Sequence, residues 1–295
     1  VAPSKLASGL YLVATPIGNL GDIGARAIEV LSAVDIVLCE DTRHSGRLMA
    51  ALGLDVRLSP YHEHNAARVR PRLIEQLGRG ARLALISDAG MPAIADPGHK
   101  LVREALDADI LVSAVPGPSA VLMALAISGL PTDRFFFQGF LPAKPGARQK
   151  VLAELSAIPA TLVLFESPNR LGACLADAAR VLGPRPAAIA RELTKLHEEV
   201  RRGPLDALAA ALTAEPAPRG EIVLVIGPPE PGSRVAGDAE VDAQLGAALA
   251  EHGPSRAAAL VAEATGRPRG QLYKRALVLR GQASDQRPPP ATKPR

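Results

Sequence analysis

The sequence predicts an α/β protein with a parallel-rich N-terminal lobe, a mixed α/β second lobe and a small helical C-terminal domain. Three observations predict it. Short apolar runs alternate with helical patterns from Leu10 to Ile127. The texture shifts at Asp133-Arg134, where Phe135-Phe136-Phe137 opens a second set of strands. The run Pro228-Pro229-Glu230-Pro231-Gly232-Ser233 is a linker by composition, and only helical patterns follow it. The expected divisions are 1–120, 121–230, 234–282 and a disordered tail at 283–295, which is Pro-rich and lacks core formers.

Taken in order, Leu10–Thr15 reads as a strand, Ile23–Val34 as a helix and Ile36–Cys39 as a strand. Arg68–Leu77 reads as a helix, Leu83–Ile86 as a strand and His99–Leu106 as a helix. Ile110–Val115 is a strand, and Ser119–Ile127 an Ala-rich helix behind a Pro-Gly-Pro turn. This rhythm implies a largely parallel sheet covered on both faces. In the second set, Thr161–Phe165, Ala187–Ala190, Val200–Arg202 and Ile222–Ile226 are strands. Arg148–Leu155, Leu171–Val181 and Leu205–Leu212 are helices between them. Short hairpin-like neighbours imply a mixed sheet. Val241–Glu251, Ser255–Thr265 and Arg269–Leu279 complete the chain as helices.

Length and composition bound the rest. A chain of 295 residues with 47% apolar residues has ample core for two or three domains. No apolar stretch reaches the roughly 18 residues of a membrane span. The N-terminus lacks a positive region followed by a long apolar run, so no secretory signal is expected. Cys39 and Cys174 sit in apolar runs and read as buried thiols of a reducing, cytoplasmic compartment. The net charge of +4 is unevenly placed. Residues 1–233 carry 24 Lys+Arg against 24 Asp+Glu, whereas residues 234–295 carry 10 against 6. A neutral body with a basic end suits catalysis in one place and phosphate contact in another.

Four strand ends carry unusual turns: ATPIGNLGDI (14–23), SDAGMPAIADPG (87–98), VPGPSA (115–120) and FESPNR (165–170). In parallel α/β sheets ligands sit beyond the carboxyl ends of strands, where all four turns fall. The second turn is twelve residues long, whereas connections of this kind take about two to six. No GxxxxGK[ST] loop occurs and the first turn lacks GxGxxG spacing, so neither nucleotide signature applies. A compact, partly apolar ligand that is not strongly anionic fits better.

These turns, together with EDTRHSGRLM, the long run VPGPSAVLMALAISGLPTDRFFFQGFLP and RELTKLHEE, occur in an order and at distances that resemble one family. It is the ribosomal RNA small subunit methyltransferase I family, within the tetrapyrrole-methylase fold superfamily. The resemblance covers about residues 9–227, and more loosely the chain to about residue 280. It implies a two-lobed tetrapyrrole-methylase-like fold, S-adenosyl-L-methionine as cofactor, and 2′-O-ribose methylation of a cytidine in 16S (small-subunit) ribosomal RNA. It also implies a homodimer. By the same resemblance Pro16, Asp88, Ala89, Gly90, Ala93 and Ile94 would wall the cofactor cleft. Pro116, Gly117, Ser119 and Ala120 would close its other side. Phe165, Glu166, Ala190, Arg191, Ile222 and Val223 would meet the adenosine end.

The chain departs from the family pattern at Gly24, Met91, Ala93, Ala95 and Asn169. Asn169 stands where a His is usual, so a role for that His as a base does not transfer. A ribose hydroxyl sheds its proton on methylation and needs an acceptor. Glu40, Glu63 and Glu192 are the candidates, each of them equally readable as a loop-holding ion pair. Arg43, Arg170 and Lys195 suit RNA phosphates. His62-x-His64 would place two imidazoles on one face of an extended strand, with His44 or Asp41 as a third ligand. No HExxH or CxxC spacing supports a metal, and none is expected. At the basic end, HGPSRAAALVAEATGRPRGQLYKRAL resembles a helix-turn-helix with Arg269, Lys274 and Arg275 available to phosphate. The rival readings are a small helical bundle packed on the body for this end, and for the chain a tetrapyrrole C-methyltransferase or a non-catalytic RNA-binding assembly module. The expected partner is small-subunit rRNA or the ribosomal subunit, and no membrane.

Overall fold

A computed structural model describes residues 6–95, 97–215, 218–230, 238–265 and 267–285. The first sheet is built from β1 (Gly9–Val13), β2 (Ile36–Cys39), β3 (Leu58–Pro60), β4 (Arg82–Leu85) and β5 (Val112–Val115). Its order is β3-β2-β4-β1-β5 and every pairing is parallel. Side chains alternate across a strand, and the core divides accordingly. Leu10, Leu12, Leu38, Leu83 and Leu85 pack under α3 (Glu63–Gly78) and α4 (His99–Asp107) through Leu73, Leu77, Leu101 and Ala105. Tyr11, Val13, Val37, Cys39 and Ala84 face the other way. They meet α1 (Ala25–Ala33) and α2 (Thr42–Ala51) through Ala27, Val30, Leu31 and Met49. Both faces are therefore covered, as a parallel sheet requires.

The second sheet takes β6 (Phe135–Phe140), β7 (Thr161–Glu166), β8 (Pro186–Arg191), β9 (Glu199–Pro204) and β10 (Ile222–Ile226) in the order β6-β7-β10-β8-β9. Only β6 and β7 are parallel; β10 lies antiparallel between β7 and β8, and β9 antiparallel to β8. One face packs on α6 (Pro145–Leu155), α7 (Pro168–Leu182) and α8 (Leu205–Ala214). The other face is covered by α5 (Ala120–Ser128), whose Val121, Ala124 and Leu125 meet Val163, Ala188, Val223 and Val225. Ile17, from the turn after β1, joins that same cluster and so ties the first sheet's loops to the second sheet.

The last three helices, α9 (Asp238–Glu251), α10 (Pro254–Thr265) and α11 (Arg269–Asp285), share a separate core of Val241, Leu245, Ala258, Val261, Leu272 and Ala276. The linker prediction falls partly outside the described residues, since only its Pro228–Glu230 portion is described.

Several expectations need correction. Helix α2 and the short strand β3 were not predicted, and α3 begins five residues before Arg68. The earlier start has a local cause. The His62 backbone N–H donates to Asn65 Oδ1 at 2.9 Å, and Asn65 Nδ2 donates to the Pro60 carbonyl at 2.9 Å. That closes the first turn ahead of Pro71. His62 and His64 therefore sit at a helix start, not on a strand, and their rings meet edge to face at 6.0 Å. Helix α11 continues through Asp285, three residues into the stretch read as tail; residues 286–295 lie outside the described ones.

Candidate functional site

The turns after β1, β4 and β7 converge on one cleft, and the local chemistry explains how. Thr15 and Gly90 exchange backbone hydrogen bonds at 3.0 and 3.1 Å, so the first and second turns are stitched together. Thr15 Oγ1 donates to the Ser87 carbonyl at 3.1 Å, and Ser87 Oγ to the Ala89 carbonyl at 3.1 Å. The effect is to hold Asp88 and Ala89 facing outward from the sheet end. The remainder of SDAGMPAIADPG bends away. Ala93 and Ala95 adopt φ of 68° and 62°, conformations that cost non-glycine residues free energy. Ala93 packs into the first core, Ile94 is half exposed, and Ala95 borders a different depression.

The cleft has two adjoining hollows. The first, ≈ 360 Å³, is chiefly apolar. Phe165, Glu166, Ile222 and Val223 come from the second sheet, Phe140 from β6, and Ser167 and Pro168 from the start of α7. Ile17, Ala89 and Ala120 close it from the first lobe's side, and Leu193, Gly220 and Glu221 from a loop pair beyond β8 and β10. The Phe165 ring lies 5.6 Å from Phe140 and 5.0 Å from Phe137 between centroids. The polar exception is Glu166. Its side chain is fully buried; Oε1 accepts from the Ser167 N–H at 2.7 Å and faces Arg170 Nε at 3.3 Å. Oε2 is buried without a hydrogen-bond partner. Such an atom in an apolar wall is costly unless a ligand donates to it.

The second hollow, ≈ 530 Å³, is lined by Pro16, Ile17, Gly18, Leu20, His44, Arg47, Leu48, Asp88, Ala89, Lys195 and Glu221. Ile17, Ala89 and Glu221 border both hollows, which fixes the seam between them. Asp88 Oδ1, near that seam, is also buried with no hydrogen-bond partner.

Of the residues the sequence nominated for the cofactor, the cleft gathers Pro16, Asp88, Ala89, Ala120, Phe165, Glu166, Ile222 and Val223. Others have local work. Gly90 makes the bridge to Thr15, and a Cβ on Gly117 would lie 2.8 Å from that of Ala14, so the third turn lies tight against β1. Pro116 is exposed beside it. Ser119 caps α5 by accepting from the Leu122 N–H at 3.4 Å. Ala190 is buried in the core, and Arg191 pairs with Glu199 at 3.1 Å.

The three carboxylates nominated as acceptors do not line the two hollows. Glu63 borders the depression between α3 and α4, and Glu40 lies half-buried beyond β2. Glu192 Oε1 accepts from Lys195 Nζ at 2.8 Å and from the Glu221 N–H at 2.9 Å. These bonds, the lysine's foremost, hold its carboxyl below the usual 4.5.

The nominated cations are similarly engaged. Arg43 chelates Asp41, the cap of α2, whose carboxyl is thereby lowered to about 2. Arg170 donates to the Leu141 carbonyl. Burial pushes Lys195 down, but its bonds to Glu192 and Glu221 outweigh that, and it stays protonated above its ordinary range. Arg275 grips Asp242 and ties α11 to α9. Arg269 donates to Ser255 Oγ at 3.1 Å, and Lys274 is exposed on α11. Lining residues that the sequence reading did not nominate include Ile17 and Glu221, which border both hollows, and Arg47, Leu48, Leu20, Phe140, Leu193 and Gly220. Arg47 sits one turn beyond Arg43 on α2, the helix that was not predicted.

Comparison with known proteins shows what the chain is similar to. Residues 9–209 match the family described as Tetrapyrrole (Corrin/Porphyrin) Methylases, and residues 235–280 match the RsmI C-terminal HTH domain. The chain is 51% identical over 276 residues to "Ribosomal RNA small subunit methyltransferase I" of Mesorhizobium japonicum, covering 93% of each chain. The protein of that name from Escherichia coli O157:H7 is 44% identical, with 92% of this chain and 96% of that one covered. Among solved structures, the uroporphyrin-III-C-methyltransferase of Thermus thermophilus superposes with a TM-score of 0.54 at 25% identity, covering 75% of this chain and 94% of that one. A diphthine synthase superposes at 0.56 with 16% identity, over 74% of this chain and 89% of that one, and shows the fold alone.

Proposed function

Because this chain belongs to the tetrapyrrole (corrin/porphyrin) methylase family, in its ribosomal RNA small subunit methyltransferase I group, we propose that it is an S-adenosyl-L-methionine-dependent rRNA (cytidine-2′-O)-methyltransferase. The observation that carries the reading is the pair of adjoining hollows with an orphaned carboxylate oxygen in each. The apolar hollow fits a nucleoside. Phe140, Phe165, Ile222 and Val223 offer flat apolar contact, and Glu166 Oε2 accepts from a ligand donor. S-adenosyl-L-methionine supplies an activated methyl group on a sulfonium.

The chain's own contribution is positioning, the larger part of an in-line displacement. Ala89 and Ile17 give the seam small and apolar side chains, and the Glu221 carboxylate beside them is paired with Lys195 at 3.3 Å. In the second hollow, His44 and Arg47 offer donors to a nucleotide's phosphate, and Asp88 Oδ1 takes a hydrogen bond near the seam. Gly90, Gly117, Ser119 and Ala190 shape the cleft from behind its lining. Arg269 and Lys274 give the basic C-terminal helices their hold on rRNA.

The protein acts as a homodimer in the cytoplasm, where small-subunit rRNA is assembled. Phe135 and Phe136, exposed on the edge strand β6, support self-association. The test uses tritiated S-adenosyl-L-methionine and small subunits from a strain lacking the gene. Label resistant to alkaline cleavage at one cytidine is expected. Absence of transfer to subunits and to naked rRNA would overturn the reading.

A further inference from the structure

The loop Glu192–Glu198, between β8 and β9, is held far more firmly than a connection needs. Glu192 N–H donates to the Glu221 carbonyl at 3.0 Å, Lys195 N–H to the Glu192 carbonyl at 3.0 Å, and Glu198 N–H to the Lys195 carbonyl at 3.1 Å. Thr194 N–H donates to Glu198 Oε2 at 2.7 Å. Glu192 and Thr194 both sit at positive φ, 51° and 65°. Strain of this kind persists only where the surroundings over-determine it. The loop's side chains fan out around the cleft mouth. Leu193 turns into the apolar hollow and Lys195 into the polar one, its stem lying against Gly18 so closely that a Cβ there would be 2.4 Å away. At the tip, Leu196 is 93% exposed. Isolated exposed leucines need no explanation, but a nearly bare one on a strained, cross-braced tip at the mouth of a site does.

We propose that Leu196 is an apolar wedge that inserts against unstacked bases of the RNA substrate and so presents one ribose to the cleft. This rests on the methyltransferase reading above. Stacked RNA displays its 2′-oxygens in the minor groove, but in-line transfer from a donor held in a cleft requires one nucleotide to leave its neighbours and enter, and proteins that part base steps insert aliphatic side chains between them. A rigid carrier is what a wedge requires, because a flexible loop would yield before the stack does. Of the neighbours, Lys195 is held by Glu192 and Glu221 and braces the tip, His197 follows it in sequence, and His44 and Arg47, lining the hollow into which Lys195 turns, offer donors to RNA phosphate.

The experiment compares native protein with Leu196→Ala and Leu196→Phe on unmethylated small subunits, measuring KM, kcat, cofactor affinity by calorimetry and oligomeric state by size exclusion. The expected result for Leu196→Ala is a KM for subunits raised about tenfold, the scale of one lost base contact. Cofactor affinity and oligomeric state should stay native, and Leu196→Phe should restore KM. An unchanged KM in Leu196→Ala overturns the wedge while leaving the methyltransferase reading intact. A shift in oligomeric state assigns the residue to self-association and also overturns it. If native protein transfers no label, the functional reading falls and the wedge with it.

Discussion

At the scale of single residues, the cleft depends on small side chains set against committed charges. Gly220, at φ +98°, leaves room for Glu192; a Cβ there would lie 2.2 Å from Glu192 Oε1. Gly220→Ala should displace that carboxylate, releasing Lys195 and the Glu221 N–H together. We expect a stability loss of about 1–3 kcal/mol in urea denaturation, with weakened cofactor binding. In the second lobe, Arg148 and Asp177 form a buried pair at 2.7 Å, and Asp177 also accepts from Gln149 at 3.0 Å. Asp177→Ala would strand a buried guanidinium, so the unfolding free energy from urea denaturation should fall by about 3–5 kcal/mol. Cys174 is pushed up to about 12 by burial first and by Glu166 second. It should resist iodoacetamide at neutral pH in native protein and react on unfolding. Residue chemistry was legible where it is local. Ser119, directly after Pro-Gly-Pro and before an Ala-rich run, stands where a cap is wanted, and it caps α5. Lys195 and Arg275 read from sequence as open to substrate, because partners such as Glu221 and Asp242 lie far along the chain, whereas for Glu192 the ion-pair reading is the one the structure takes.

Among the elements, strands buried on both faces announced themselves as continuous apolar runs; β2 and β10 were delimited to the residue. Helix α2 escaped because the polarity of TRHSGRLMAA hides its narrow buried stripe of Ser45 and Met49, although Asp41 supplies an ordinary cap. That omission concealed Arg47 and Leu48 from the site. The hairpin of β8 and β9 carries its own pH dependence. Glu199, bonded by Arg201 and Arg191, and Glu192, bonded by Lys195, are both held below their ordinary 4.5. A depressed carboxyl contributes stability that is fully present above its unfolded value and is lost as pH falls through the folded one. Melting temperature should therefore be level near neutrality and decline below about pH 4.5, and Glu199→Gln should flatten that decline.

For the whole molecule, the balance of 24 against 24 charges in residues 1–233 and 10 against 6 beyond them predicts a division of labour. The α9–α11 core shares no residue with the four clusters of the two lobes. A chain ending at Glu230 should keep its cofactor affinity and show a shallower fall of RNA affinity with salt, since fewer phosphates are neutralised. The two sheets were legible from the βα rhythm and its change at Asp133. The contact between them was not, because the meeting of Ile17, from the turn after β1, with Val121, Leu125 and Val223 is made by packing alone. The strand order carries one more consequence. β10, the last strand of the second sheet to leave the ribosome, is the one that must slide between β7 and β8. Until then a nascent chain holds two naked strand edges and no floor for the apolar hollow. Ligand capture is thereby reserved for chains whose synthesis has passed Ile226.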